Sequence, residues 1–190
     1  MAIPALKYIT PQEYLEMEAH ADEKHEYFDG KVIAMSGTKE AHSRIVVNLI
    51  GEIGGFLKGK ACDVFPSDLR IATPSSNSYM YPDVSIVCGD IEKKDGEFDT
   101  CVNPSVIIEV MSESTRDKDR GYKYFYYQQI QSVKEYILVD SAGYFVQSVY
   151  KQPDDSWKFG TTEDINMSLN IHTIGLSLPL NDIYYRMVFM

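Results

Sequence analysis

The segment Pro104–Asp140, PSVIIEVMSESTRDKDRGYKYFYYQQIQSVKEYILVD, decides the fold. Its apolar run Val106–Ile108 leads into Glu109, then into a Ser/Thr-rich turn, a stretch at helical spacing and a second apolar run, Ile137–Val139. The pattern predicts a strand over 105–111, a helix from about Asp117 to Gln129 and a strand over Glu135–Asp140. Strand, helix and strand within about 35 residues make a crossover joining two strands of one sheet. A continuous apolar run of this kind is a strand covered on both faces. A carboxylate at its end is costly unless it is paired or holds a cation, so Glu109 calls for partners.

Two other stretches offer such partners. Asp119, Lys123 and Tyr127 are spaced i, i+4, i+8 and share one stripe of the expected helix, which could face the strand end. Asp83 follows Pro82 and opens a further apolar strand, Val84–Cys88. Carboxylates from two strands, with a backbone carbonyl near Val110, form the hard oxygen set that Mg²⁺ prefers, and Mn²⁺ can substitute. A lysine beside them can stabilise charge developing on a phosphate or hold an attacking water. The bland alternatives stand beside this one: a surface Asp–Lys pair, a turn aspartate and a solvated glutamate.

The rest of the 190-residue chain reads as one domain, residues 1–190, with a core of its own. Thr10-Pro11-Gln12-Glu13 is a capping box with proline at the first helical position, so a helix runs to about His20. Alternating residues around Asp29-Gly30 predict a hairpin over His25–Ser36. Ile45, Leu49 and Ile53 set a helical period over Lys39–Lys58, where Gly51, Gly54 and Gly55 could permit close packing against a sheet. Short strands are expected at Ala61–Phe65 and Leu69–Thr73, read as a pair. Gly89–Asn103 reads as an exposed, charged connection. Beyond the crossover, Tyr144–Lys151 pairs back through Ser141-Ala142-Gly143. Trp157–Thr161 and Leu169–Ile171 suggest a small meander, and a short helix capped by Asn181 or Asp182 follows.

Composition narrows the function. The net charge of −10 lacks the basic footprint of most nucleic-acid binders, although clustered carboxylates count as negative only until a cation occupies them. No apolar run approaches a membrane span, and the N-terminus lacks a secretory pattern, so a cytoplasmic protein that does not enter membranes is expected. Cys62, Cys88 and Cys101 contain no C-x-x-C pair and read as reduced core thiols. The histidines show no zinc-ligand spacing. Five aromatics between Tyr122 and Tyr127 cannot all face one core, so some should meet a ligand or a second subunit, with a homodimer as the usual solution.

The strings YPDVSIV, IIEVMSEST, DRGYKYFYYQQI and KEYILVD, preceded by ITPQEYLEME and HEYFDGKVIAMSG, resemble the Uma-two family of restriction-type endonucleases, abundant in cyanobacteria. That resemblance implies an α/β (α+β) restriction-endonuclease-like fold, a mixed central sheet flanked by helices with an N-terminal helix and hairpin, within the PD-(D/E)XK nuclease superfamily. It implies Mg²⁺-dependent hydrolysis of DNA, with Asp83 and Glu109 as metal ligands. Met111 occupies the place of the superfamily's usual lysine, so the resemblance assigns that role to Lys123, oriented by Asp119. Glu26 matches an acidic residue before the family's Asp-Gly turn, and His42 a histidine at the start of its long helix, a candidate general base. An edge-strand carboxylate and a structural histidine are the competing readings of these two. The contrasting reading of the whole chain is a non-catalytic oligomeric binding or scaffold protein that keeps the nuclease fold.

Overall fold

The computed structural model describes residues 8–35, 37, 39–94, 100–112, 115–116 and 118–189. Helix α1 (Pro11–Glu18) begins at the expected capping box, with Thr10 and Glu13 each bonding the other's backbone N–H. Strands β1 (His25–Phe28) and β2 (Lys31–Ala34) form the expected hairpin. Asp29 and Gly30 both take positive φ at its turn, 44° and 85°, which is why this dipeptide stands there. Ser36, the expected end of the hairpin, lies outside the described residues.

Helix α2 (Glu40–Leu57) buries His42, Ile45, Leu49, Ile53 and Leu57 along one stripe. Of its glycines, Gly54 alone approaches a neighbour: a Cβ there would lie 3.4 Å from Val64 Cγ1, whereas Gly51 and Gly55 face open space. Close packing therefore involves one glycine of the three.

The chain then builds two large sheets. Strands β3 (Cys62–Pro66), β6 (Val84–Cys88), β8 (Val106–Met111), β9 (Glu135–Asp140), β10 (Val146–Lys151) and β11 (Trp157–Thr162) make a six-stranded mixed sheet ordered β11-β10-β9-β8-β6-β3. Its β8–β9 pair is parallel, as the crossover requires. A five-stranded sheet, β2-β1-β5-β4-β7, adds β4 (Arg70–Ala72), β5 (Ser78–Met80) and β7 (Thr100–Cys101). Thus β3 and β4 are not partners as expected: the chain changes sheets across Pro66–Leu69. The Gly89–Asn103 connection contains β7 and a bridge from Lys93 to Cys101, while residues 95–99 lie outside the described residues.

Strand β12 (Ser168–Ile171) leaves the expected meander and pairs with β13 (Leu176–Pro179) in a small third sheet. Helix α4 (Leu180–Ile183) follows directly, with Pro179 at its N-cap and no side-chain cap, so Asn181 and Asp182 lie inside the helix. The expected helix of the crossover is a π-helical turn, Lys118–Lys123, running into α3 (Tyr124–Tyr127); Asp117 lies outside the described residues.

Alternation along β8 divides the core. Val106, Ile108 and Val110 pack toward α2, while Ile107 and Met111 pack with Phe28, Met80, Tyr126 and Tyr127 on the other face. Glu109 shares the parity of Ile107 and Met111, so it projects between the two large sheets. Met111 is fully buried in that apolar cluster.

The cysteine expectation needs correction. Cys62 and Cys88 stand directly opposite one another in the antiparallel β3–β6 pair and form a disulfide; Cys101 is free and buried. Sequence spacing hid the pair because 26 residues separate it. Reduction should expose two titratable thiols in the folded protein, with Cys101 reacting only on unfolding, and should lower stability by roughly 3 kcal/mol from loop entropy. Thiol titration and urea melts with and without reductant provide the check; an unchanged thiol count would refute the bridge.

Candidate active site

Glu109 lies within the buried strand β8 with only 2% of its surface exposed, and three groups donate to it. Lys123 Nζ donates to Glu109 Oε1 at 2.9 Å and Tyr127 OH donates to the same oxygen at 3.1 Å. The backbone N–H of Asp83 reaches Glu109 Oε2 at 3.4 Å. The stripe read from the sequence thus does face the strand end. Asp119 completes it, with Oδ1 3.8 Å from Lys123 Nζ and its backbone carbonyl accepting from Tyr136 OH at 2.8 Å.

Asp83 lies just outside β6, where the ladder to β8 has ended at Val84↔Ile108. Its Oδ2 accepts from the Val110 N–H at 2.8 Å and lies 3.0 Å from His42 Nε2 at the start of α2. His42 is buried against the carboxylate, which places it as a fixed partner of Asp83. Val110 enters the site with its N–H as a donor. Met111 O accepts from Ser141 N on the β9 side. Alternation along a strand therefore turns the Val110 carbonyl the other way, toward the open end of β6.

Glu26 comes from β1, an interior strand of the five-stranded sheet, so the edge-strand reading does not apply to it. It is 1% exposed, lies 3.0 Å from Lys123 Nζ through Oε1, accepts the Tyr81 N–H at 3.2 Å and is paired through Oε2 with Lys118. Lys118 was not among the candidates read from the sequence. Its signal was its place one residue before Asp119, on a neighbouring stripe of the same helical segment. Its side chain keeps 28% exposure, so it is the water-facing member of the group.

Four carboxylates, Glu26, Asp83, Glu109 and Asp119, therefore share two lysines. Burial pushes the Glu109 carboxyl well above its usual range; Lys123 opposes this, and the other three carboxylates reinforce it. Burial works against ionised Glu26 too, but Lys123 and Lys118 outweigh it and hold its pKa below the usual value. Burial opposes the charge on Lys123, yet Glu109, Glu26 and the two aspartates overcome it and raise its pKa well above normal. Lys123 and Glu26 thus favour each other's charged forms, while burial and the neighbouring carboxylates work against the charge on Glu109 that Lys123 supports.

A family profile described as "Putative restriction endonuclease", Uma2, matches residues 11–181. The chain belongs to the Uma2 family. Two uncharacterized Synechocystis proteins are similar to it: one is 35% identical over 181 residues, spanning 95% of this chain and 94% of its own, and the other is 32% identical over 157 residues, spanning 83% and 89%. Among solved structures, one described as "a putative nuclease belonging to DUF820" from Anabaena variabilis superposes with a TM-score of 0.72. It is 17% identical and covers 92% of this chain and 97% of its own, a likeness of fold. The mixed sheets flanked by helices expected for Uma2 are therefore found.

The two glutamates should respond oppositely to pH. A raised carboxyl pKa means that the folded state binds the proton more tightly, so Glu109 costs stability as pH rises above the unfolded value of about 4.5. A depressed pKa means that Glu26 contributes stability above about 4.5 and loses it as pH falls through its lower folded value. In chelator-treated protein, Glu109→Gln should flatten the decline above that pH, whereas Glu26→Gln should cost roughly 3–5 kcal/mol at neutral pH by leaving a buried charge underpaired. Urea melts across pH 4 to 9 test this, and parallel profiles for the two variants would contradict it.

Proposed function

We propose that this chain is a Mg²⁺-dependent endonuclease that hydrolyses phosphodiester bonds in DNA, with Asp83, Glu109 and Lys123 at its centre. The single observation that carries the reading is the meeting of Asp83 and Glu109 at the open end of β6, with Lys123 Nζ 2.9 Å from Glu109. Family membership supports it.

The donor set fits a hard cation. Asp83 Oδ2 and Glu109 Oε1 are each held by two partners and Glu109 Oε2 accepts the Asp83 N–H, so the two carboxylates are fixed side by side next to the Val110 backbone. Among the described residues no group of three His, Cys, Asp or Glu side chains forms a cage. Two carboxylates and a carbonyl, with water and a phosphate oxygen filling the remaining positions, are what Mg²⁺ commonly accepts, and Mn²⁺ can replace it. Bound there, the cation would polarise the phosphate and lower the pKa of a water. The excess of carboxylates over lysines supplies the attraction.

The chain's own residues do the rest. His42 and the Val110 N–H fix the Asp83 carboxylate, and Tyr127 fixes Glu109. Lys123, held charged by Glu26 and Glu109, offers an ammonium to the charge that grows on the phosphate oxygens as water adds and the P–O bond breaks. A lysine arriving from the helical segment replaces the one that Met111 excludes, since a long side chain can deliver its charge from a different backbone position. Asp119 and Glu26 keep Lys123 from swinging away. Lys118, partly exposed, stands where a neighbouring phosphate would pass. This assigns His42 to positioning Asp83, in place of the general-base role first considered.

Purified protein with Mg²⁺ or Mn²⁺ should nick or cut DNA. Asp83→Ala and Glu109→Ala should abolish cutting, and Lys123→Met should lower it by at least about 100-fold, the scale of losing one charge-stabilising group. Circular dichroism of each variant separates lost chemistry from lost fold. Cutting that persists in both carboxylate variants would overturn the assignment.

A further inference from the structure

The aromatic run that follows Lys118 is only partly used by the core. Tyr126 and Tyr127 are buried, but Tyr122 is 41% exposed and Phe125 is 61% exposed. These two rings project from the helical segment that lines the candidate site, and each is braced from below. Tyr122 meets Phe28 edge-on with ring centroids 4.9 Å apart and meets Tyr126 at 5.2 Å. Phe125 packs on Tyr126 at 5.4 Å, and the Tyr126 hydroxyl is tied to Asp29 at 2.8 Å. The exposed pair therefore stands on an anchored base.

The base is continuous with the chemistry. Lys118 Nζ lies 5.3 Å from the centre of the Phe28 ring while paired with Glu26, which is 3.0 Å from Lys123. From the buried ammonium outward, the order is Lys123, Glu26, Lys118, Phe28 and then the rings of Tyr122 and Phe125. A strand whose phosphate lies at the site and passes the partly exposed Lys118 would bring its next bases against aromatic faces.

We infer that Tyr122 and Phe125 form a stacking platform for unpaired bases, so the nucleic acid taken by this site is single-stranded, frayed or branched next to the bond that is cut. The inference rests on the nuclease reading of the site. Stacking requires a face of the base to be free, which an intact duplex denies, and it tolerates any sequence because every base has such a face. A second copy of this chain fits the patch less well. Two partly exposed rings offer on the order of 200 Å², against roughly 800 Å² per partner in a stable interface. Phe159, also exposed, meets the helix at Tyr124, two residues and so about half a turn from Tyr122.

Fluorescence anisotropy of the full chain in chelator tests the platform without cleavage, using labelled oligothymidylate and a blunt duplex of equal length. The wild-type chain should prefer the single strand, and Tyr122→Ala and Phe125→Ala should each reduce that preference about tenfold, the scale of one lost stacking contact. Equal preference in wild type and variants overturns the platform. So does a double variant whose only change is dissociation of a dimer in sedimentation velocity, which would make the patch a self-interface. Cleavage of the same oligonucleotides by the wild-type chain with Mg²⁺ is scored separately. Cutting with no ring-dependent preference sinks the platform alone, while a ring-dependent preference with no cutting sinks the nuclease reading alone.

Discussion

Burying an ammonium costs several kcal/mol unless its counter-charges are close and well directed, and Lys123 meets that condition with carboxylates drawn from both large sheets. Glu109 reaches it from β8 and Glu26 from β1, at 2.9 and 3.0 Å. The apolar contacts between these sheets, Phe28 and Met80 against Ile107 and Met111, are non-directional and would tolerate sliding. The ion group would not, because a shift of an ångström leaves buried charge unmatched. Apolar area brings the sheets together and Lys123 fixes how they sit.

The backbone around Lys123 is arranged to the same end. Residues Lys118–Lys123 wind as a π-helical turn before the α-helix resumes at Tyr124. Such wider turns recur at functional sites because they re-aim side chains within a continuous helix. Here Asp119 and Lys123 point inward together while Lys118 stays at the rim. The Tyr136 hydroxyl, bonded to the Asp119 carbonyl, pins this turn to β9. Strand β9 is itself in parallel register with β8, so the helical segment and Glu109 are tied to one frame.

Much of this was legible in the residues. The crossover, the capped first helix, the Asp-Gly hairpin and the long amphipathic helix each follow from local rules, and each is found. The Asp119, Lys123, Tyr127 stripe was readable because its geometry is set within two turns. What escaped depends on long-range pairing. Nothing local distinguishes Pro66-Ser67-Asp68 as a change of sheet from a hairpin turn, and the Cys62–Cys88 bond exists only because β3 and β6 pair in one register. The edge-strand alternative for Glu26 fell for the same reason, since only β5 makes β1 an interior strand. Lys118 was missed because an exposed lysine beside an aspartate looks like helix decoration until Glu26 arrives from 92 residues away.

The shared ammonium also bears on how such a chain can change over generations. Where a reactive group is merely displayed on a scaffold, its loss leaves a silent but sound protein, and descendants can drift freely. Lys123 holds two sheets in place and carries the proposed chemistry with one charge. Any lineage that discards it must at the same time neutralise Glu26 and refill a buried gap beside Glu109. Single substitutions at this point lead through a destabilised intermediate, so inheritance favours keeping the whole group or replacing it together.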